Sequence, residues 1–571
     1  MSEKMTGYPS IDKPWLKYYG DESIRLEVPN KTAYEYMWEN NKNNEKDIAL
    51  RFYWKKISYK ALFEKIKIVA NAFVKLGIKR NDVVAICAVT TPETIYAFYA
   101  LNYIGATANI IDPRTNIDRI IDYLKKSKTK CIVAIDKCEA IVDKVLRENV
   151  CESAVIFSPT NTLNPLNKVN VNGYRNNDNK FEWNQFIKLG KERKAEKAIY
   201  EKERTAAIVY TGGTTGIPKG AMLSDDTFNV MAFQYKHIGI DYNREDNFLN
   251  IMPPFIAYGI VCGIHMTLTL GLTNVIIPLL DTTKLVKLVL KYRPMLMLCV
   301  PTHYEILAHS SKIAGKDLSF LKIPGCGGDG INVKLEQQLN HFLTEHNCPS
   351  DIAKGYGMTE VGSAAVTCRG KINKEGSVGI PHCKTIVSVF DVETMQELKY
   401  GEEGEICICT DAMMNSYLGM PDETQKVIKV HDDGVKWVHS GDLGYMDEDG
   451  FLFIKGRMKR MIIRPDGHNV FPLQIENVIM EHDDIENCAV VGKNDESVEN
   501  GKWPVAYIVK KKNAIKDNNI LLEEVQNLCA DKLPPRDSAT EFYIIDKLPV
   551  TNLGKVDYRA LEEAEKNIEY K

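Results

Sequence analysis

Short β-branched runs alternate with amphipathic, charged stretches through the first part of the chain: VVAICAV near 83 to 89, a helix-like TPETIYAFYALNYIGA, TKCIVAI near 129 to 135, then EAIVDKVLREN. Apolar runs too short for helices, each followed by a longer amphipathic segment, predict βαβ units and a parallel sheet. The rhythm stops between about 160 and 200. There NTLNPLNKVNVNGYRNNDNK is rich in Asn and nearly without apolar periodicity, which predicts a surface loop or linker. It resumes with TAAIVYT and continues through NVIIPLL, PMLMLCVP and the glycine-rich GCGGDG. From about 375 to 456 shorter strands and turns (SVGIP, KTIVSVFD, GEICICT, VKWVHSGDLGYMDEDGFLFIKG) predict a small β-rich lobe. Residues 457–571 carry CAVVGK, WPVAYIVK and EFYIIDKL, separated by EEVQNLCADKL and closed by DYRALEEAEKN, the pattern of a separate α+β unit.

One apolar stretch admits two readings. Residues 247–280 contain no Asp, Glu, Lys or Arg, a run longer than the ~20 residues that span a bilayer. Pro253, Pro254, Gly259, Gly263, Gly271, Asn250, Asn274 and His265 interrupt it, and lipid could not satisfy the backbone groups so exposed. A buried segment beside an apolar ligand pocket is the expectation.

Composition narrows the class. The chain has 571 residues, 73 Lys plus Arg against 76 Asp plus Glu, a net charge of −3, and 44% hydrophobic residues. That balance disfavours disorder and strongly basic nucleic-acid binding. The 14 cysteines are scattered through apolar runs with no CxxC pair, which points to reduced, structural thiols. Cys407 and Cys409 alternate with Ile on one face of an expected strand, read as neighbouring buried thiols and not as a metal site. The opening residues hold no secretory core and neither end a lipidation signal, so the cytoplasm is the expected location.

The densest chemical signal is Tyr210-Thr-Gly-Gly-Thr-Thr-Gly-Ile-Pro-Lys-Gly220, directly after a strand-like TAAIV. Gly212, Gly213 and Gly216 let backbone approach a phosphate, Thr211, Thr214 and Thr215 offer donors, and Lys219 adds a mobile cation. The pattern is a polyphosphate cradle but not a Walker loop, because Pro218 precedes the lysine and Gly220 follows it. Gly355-Tyr-Gly-Met-Thr-Glu360 places an aromatic ring, a hydroxyl and a carboxylate within a few positions. Tyr356 could stack on a base, Thr359 donate to a phosphate and Glu360 hold Mg²⁺. In Ser440-Gly-Asp442 a turn carboxylate could accept both hydroxyls of a ribose. Gly456-Arg457-Met-Lys459-Arg460 joins two regions of different texture, and Pro549-Val-Thr-Asn-Leu-Gly-Lys555 lies near the terminus.

These five elements, in this order, resemble the adenylate-forming enzymes: acyl- and aryl-CoA synthetases, adenylation domains of peptide synthetases, and luciferases. The resemblance covers nearly the whole chain. It implies a multidomain α/β fold: a large N-terminal domain, 1–456, of two α/β lobes plus a small β-barrel-like lobe, hinged to a mobile α+β C-terminal domain, 457–571. It implies ATP, Mg²⁺ and coenzyme A, with a carboxylic acid activated as acyl-AMP and passed to a thiol. Carried over by position, Thr211 to Lys219 would hold the β- and γ-phosphates. Tyr356 with Gly327 and Gly328 would sandwich adenine, Gly357 and Asp329 would belong to the same ATP site, and Thr359 would contact the α-phosphate, Glu360 Mg²⁺, and Asp442 with Arg457 the ribose. Lys555 would bridge the carboxylate and the α-phosphate, where a cation cancels repulsion between two anions and stabilises the transition state. Lys459 matches the hinge, and Gly467 and His468 would face the pantetheine channel.

Departures from the family pattern occur at Lys354, where Gln or Asn usually stands beside the adenine amino group, at Ile256, which replaces a frequent histidine, and around Ile463 to Asp466, where one residue more stands than in many relatives. Pocket walls by resemblance come from Phe255, Ile256 and Tyr258, from Gly325 and Cys326, and from Val361, Gly362 and Ala364. Small residues dominate two walls and no Asp marks an ammonium, so an apolar, fatty acid is favoured over an aryl or other acid. Delivery to a carrier protein in trans, homodimerisation, and a non-catalytic nucleotide-binding regulator remain alternatives at this stage.

Overall fold

The computed structural model describes residues 5–163, 179–191, 194–211, 218–495, 498, 501–512, 514–550 and 556–563. An eight-stranded sheet runs in the order Ser416–Tyr417, Lys219–Ser224, Thr205–Thr211, Thr107–Ile111, Val83–Cys87, Cys131–Ile135, Ser153–Phe157, Lys180–Glu182. Its centre is parallel, as the βαβ rhythm predicts: Val83–Cys87 lies between parallel neighbours on both sides. Helix Pro92–Ile104 begins with Thr91 accepting the Thr94 N–H, has Pro92 at its first position, and stops at Gly105 in a left-handed conformation. Phe98, Tyr99 and Leu101 on it are fully buried, each such apolar side chain contributing about 1.5–3 kcal/mol.

A nine-stranded sheet follows the order Ile380–Pro381, Ser363–Thr367, Ala353–Met358, Ile323–Gly327, Leu296–Cys299, Asn247–Asn250, Thr273–Ile276, Ile48–Phe52, Lys55–Ser58. One continuous core joins the two large sheets, with Val84 and Ile110 from the first and Leu50 and Phe248 from the second. A five-stranded antiparallel sheet contains Thr385–Phe390, Gly404–Thr410, Lys436–Met446, Ile428–Val430 and Leu452–Arg457. Beyond it, strands Ile485–Asn494, Lys502–Lys510 and Glu541–Ile544 pack with helices Pro472–Ile479 and Asn518–Lys532 around their own core.

Two expectations meet the structure differently. The loop expected from 160 to 200 contains strand Lys180–Glu182 and helix Trp183–Leu189. Trp183 and Phe186 are buried, so two aromatic anchors override the polar local composition. The uncharged 247–280 stretch is interior, and among the described residues no helix is long and apolar enough to cross a membrane. Its centre is a π-helix, Tyr258–Met266, and the Gly263 carbonyl accepts from Asn274 Nδ2 at 2.6 Å and Asn250 Nδ2 at 3.1 Å. Those two asparagines therefore serve the irregular backbone. His265 bonds Tyr99 and Asn229 at 3.1 and 3.2 Å, and burial pushes its pKa down to about 3. It is a neutral core histidine.

Candidate active site

Strand Lys436–Met446 pairs with Gly404–Thr410 through Glu405↔Leu443 and then Cys407↔His439. Ile406 is thus opposed by Ser440, Gly441 and Asp442, and the expected turn at Ser440-Gly-Asp442 is a bulge within a strand. Bulges re-aim side chains; Gly441 supplies the positive φ of 71° it needs. Asp442 emerges directly opposite Arg457 in the next strand. Its carboxylate accepts from Arg457 Nε at 2.7 Å and from the Tyr356 hydroxyl at 2.9 Å. Burial and the facing carboxylate push the Tyr356 phenol far above its usual pKa, so it stays a donor. Three sequence-predicted residues from separate motifs therefore meet at one point.

Tyr356 lies on strand Ala353–Met358, beside Ile323–Gly327. Gly357 has no room for a side chain: a Cβ there would sit 1.8 Å from the Ser363 carbonyl oxygen. Gly328 and Asp329 follow the neighbouring strand and are exposed, Gly328 with φ of 83°. Lys354, on the same strand as Tyr356, is 2% exposed and ion-paired with Glu336 of helix Val333–Glu345, with the Lys374 carbonyl at 3.3 Å. Its ammonium is engaged inside the protein, and Glu336 is the partner that sequence reading missed. Thr359 and Glu360 follow the strand in a short 3₁₀ turn. Glu360 is buried and accepts a hydrogen bond from the Tyr417 hydroxyl. A single buried carboxylate that shares the Tyr417 contact with Lys219 fits Mg²⁺, which takes one or two carboxylates and completes its shell with phosphate and water.

Thr211 and Lys219 pair across the hairpin formed by Thr205–Thr211 and Lys219–Ser224, so the two ends of the expected phosphate loop are brought together. Gly212, Gly213, Thr214, Thr215 and Gly216 lie outside the described residues. Lys219 Nζ pairs with Glu423 and sits 5.0 Å above the Tyr417 ring. Lys219 and Lys426 hold the Glu423 carboxyl down at about 2. Tyr417 and Glu423 come from one short segment, strand Ser416–Tyr417 and helix Pro421–Val427, and no sequence motif marked either.

Lys555 also lies outside the described residues. On either side of it Val550 bridges Val556 and Asp557 N–H donates to Pro549 O at 2.8 Å. Tyr558 stacks under Arg460 at 3.6 Å and is within electrostatic reach of Asp329, and Lys334 pairs with Asp483. The C-terminal unit thus lies against the rim that carries Gly328 and Asp329. Lys459 is exposed in the 3₁₀ turn Met458–Arg460 between the two parts. Gly467 and His468 belong to the hairpin loop closed by Ile463↔Asn469, and His468 Nε2 meets Asp537 at 2.5 Å, away from the Asp442 cluster in their hydrogen bonding.

The expected acyl walls converge in part. Tyr258 and Cys262 on the π-helix face Gly327, Cys326 and the Ser363-Ala364 backbone: a Cβ on Gly327 would lie 3.9 Å from the Tyr258 hydroxyl, and Cys262 lies beside Ser363 and Ala364. Phe255, Cys326 and Val361 are buried, Ile256 and Ala364 half-buried. Gly325 and Gly362 pack against Met297 and Thr227 with no space for a Cβ. A cavity of about 480 Å³ lies elsewhere, between helices Pro301–Ala308 and Val333–Glu345, and none of these residues lines it.

Fold and site together define an adenylate-forming enzyme. The chain belongs to the AMP-binding enzyme family, whose model matches residues 37–418, followed by the AMP-binding enzyme C-terminal domain at 474–555. It is 29% identical to the long-chain-fatty-acid–CoA ligase of Bacillus subtilis (strain 168), covering 97% of this chain and 98% of that protein. With the 4-coumarate–CoA ligase of Vanilla planifolia it shares 27% identity over 86% of this chain and 85% of the relative. Among solved structures, the anthranilate CoA ligase AuaEII in complex with anthranoyl-AMP superposes with a TM-score of 0.80 at 19% identity, over 95% of this chain and 98% of that one. ATP-bound MatB from Rhodopseudomonas palustris gives 0.79 at 22%, over 95% and 100%.

Proposed function

We propose that this protein is an AMP-forming acid–thiol ligase that activates a fatty acid with ATP, releases pyrophosphate, and passes the acyl group from acyl-AMP to coenzyme A. The observation that carries the reading is the Asp442 carboxylate held between the Tyr356 hydroxyl and Arg457 on a strand bulge, in a chain of the AMP-binding family. The fatty acid is supported by the full-length likeness to a long-chain-fatty-acid–CoA ligase.

In this reading Asp442 accepts the ribose hydroxyls, Tyr356 with Gly327 and Gly328 flanks adenine, and Thr211, Lys219 and the glycine-threonine loop take the β- and γ-phosphates. Thr359 contacts the α-phosphate. Mg²⁺ at Glu360 would neutralise phosphate charge as the bond to pyrophosphate breaks. Lys555 brings the acid carboxylate and the α-phosphate to attack distance and stabilises the charge that grows on phosphorus. Rotation at Lys459 then withdraws Lys555 and turns Gly467 and His468 toward the incoming thiol. Sulfur attacks the acyl carbon, AMP leaves, and no protein cysteine is needed. Thirteen of the 14 cysteines are buried, in keeping with that.

The test is acid-dependent exchange of labelled pyrophosphate into ATP, run over fatty, aryl and bile-type acids, followed by product analysis with free CoA and with a phosphopantetheinyl carrier protein. Exchange with fatty acids and a CoA thioester product is the expected result. Exchange with coumarate alone would replace the acid, a product on the carrier alone would replace the acceptor, and no exchange with any acid would leave a nucleotide-binding regulator.

A further inference from the structure

A bulge removes backbone groups from the ladder, and in this one a side chain takes over. Gly441 N–H donates to Glu405 Oε1 at 3.0 Å. The other oxygen of the same carboxylate accepts from His439 Nδ1 at 2.7 Å, and His439 Nε2 lies 3.0 Å from His431 Nε2. A carboxylate only accepts, so His439 Nδ1 carries a proton, and the two Nε2 atoms share one. Glu405 is 8% and His439 5% exposed. Burial alone would raise the Glu405 carboxyl, but the bonds from His439 and Gly441 outweigh it and hold it below its usual range. Ser440 completes the bulge: its hydroxyl donates to Ile406 O at 2.6 Å and accepts the Asp442 N–H at 3.0 Å. Glu405 and His439 flank the three bulged residues in register, so the carboxylate reaches the middle of the bulge from one side while its imidazole anchor stands on the other.

Tyr356 and Arg457 hold the end of the Asp442 side chain, and strand pairing with Arg457 and the Ser440 hydroxyl hold its own backbone. Glu405 adds the contact to Gly441, the left-handed residue that sets the direction in which Asp442 leaves the bulge. We propose that Glu405, anchored by His439, is the positioning residue for ribose recognition: it fixes the 440–442 bulge so that the Asp442 carboxylate meets the hydroxyls of a ribonucleoside triphosphate. The inference deepens the function proposed above and rests on it. A general structural role would weaken every ligand alike, whereas positioning of Asp442 concerns only ligands that carry the hydroxyls.

The experiment compares equilibrium binding of ATP and 2′,3′-dideoxy-ATP to the full chain as wild type, Asp442→Ala, Glu405→Ala and Glu405→Asp. Wild type should favour ATP. Glu405→Ala should weaken ATP roughly tenfold, the scale of one buried charged hydrogen bond, and leave dideoxy-ATP within about twofold. Should Glu405→Ala not fold, Glu405→Asp carries the test: its shorter side chain cannot reach both Gly441 and His439, and the ATP preference should fall by about threefold. Equal weakening of both nucleotides, or an unchanged ratio, overturns the inference. Asp442→Ala separates the two levels: if it leaves the ratio intact, Asp442 does not hold ribose and the underlying reading fails. If it collapses the ratio while both Glu405 variants keep it, only the role of Glu405 fails.

Discussion

Asp442, proposed for the ribose, and Lys219, proposed for the phosphates, are both met by an opposite charge, but the partners differ in kind. Asp442, itself buried, faces Arg457 across a paired strand and the half-buried Tyr356 phenol, and on the strand of Tyr356 Lys354 forms with Glu336 a pair with side chains 3% and 2% exposed. These are contacts of the framework, in place before any ligand arrives. Lys219 instead meets Glu423 of a short separate helix, with no strand pairing to hold the two in register. A phosphate approaching Lys219 competes with that carboxylate for the same ammonium. In the proposed roles the ribose contact is thus preorganised, while the phosphate contact would exchange one anion for another, which keeps the unliganded cation satisfied without fixing it.

Breaking each kind of contact separates the two designs. The largest effect should come from Lys354→Met, which strands Glu336 as an unpaired buried charge; unfolding should show about 3–5 kcal/mol lost, much of it recovered in Lys354→Met/Glu336→Leu. Lys555→Ala should lower acid-dependent pyrophosphate exchange 10²- to 10³-fold, about 2.7–4 kcal/mol, with ATP affinity nearly unchanged. Asp442→Ala should weaken ATP by about 1.5–3 kcal/mol, the scale for hydrogen bonds to a charged group, with little change in melting temperature.

The smallest effect has the opposite sign. Glu423→Gln should tighten pyrophosphate binding by no more than about 1 kcal/mol, since an ion pair still open to solvent is worth little. Its pH dependence is also fixed. The Glu423 carboxyl sits at about 2 in the folded protein, against about 4.3 when unperturbed. Its contribution is therefore fully present above the higher value and lost only as pH falls through the lower one. The gain in the Gln variant should be constant from pH 5 to 8; a gain that vanishes across that range would contradict the exchange of anions at Lys219.

Motifs made the proposed ligand-binding residues legible because their chemistry demands fixed types at short spacing: Tyr356 and Glu360, Asp442, Arg457. Their partners were hidden for a physical reason. Glu336 meets Lys354, Glu405 meets Gly441 and Glu423 meets Lys219 only through tertiary folding, and no periodicity links residues so far apart in sequence. Glu405 did leave a trace: it shares the strand face of Cys407, and a carboxylate on a face otherwise apolar must find a partner. Helix Trp183–Leu189 was missed because Trp183 and Phe186 stand in a polar surround, where two buried rings outweigh composition. The parallel centres of the two large sheets were legible in short apolar runs, since strands buried on both faces lose alternation but keep length, while their antiparallel edges were not.

The most direct measurement of the central claim is a mass-balance of the nucleotide products when the protein turns over ATP, a long-chain fatty acid and coenzyme A. AMP, pyrophosphate and acyl-CoA in equal amounts, with acyl-AMP trapped when coenzyme A is withheld, is the outcome this account predicts. ADP and orthophosphate in their place would contradict it.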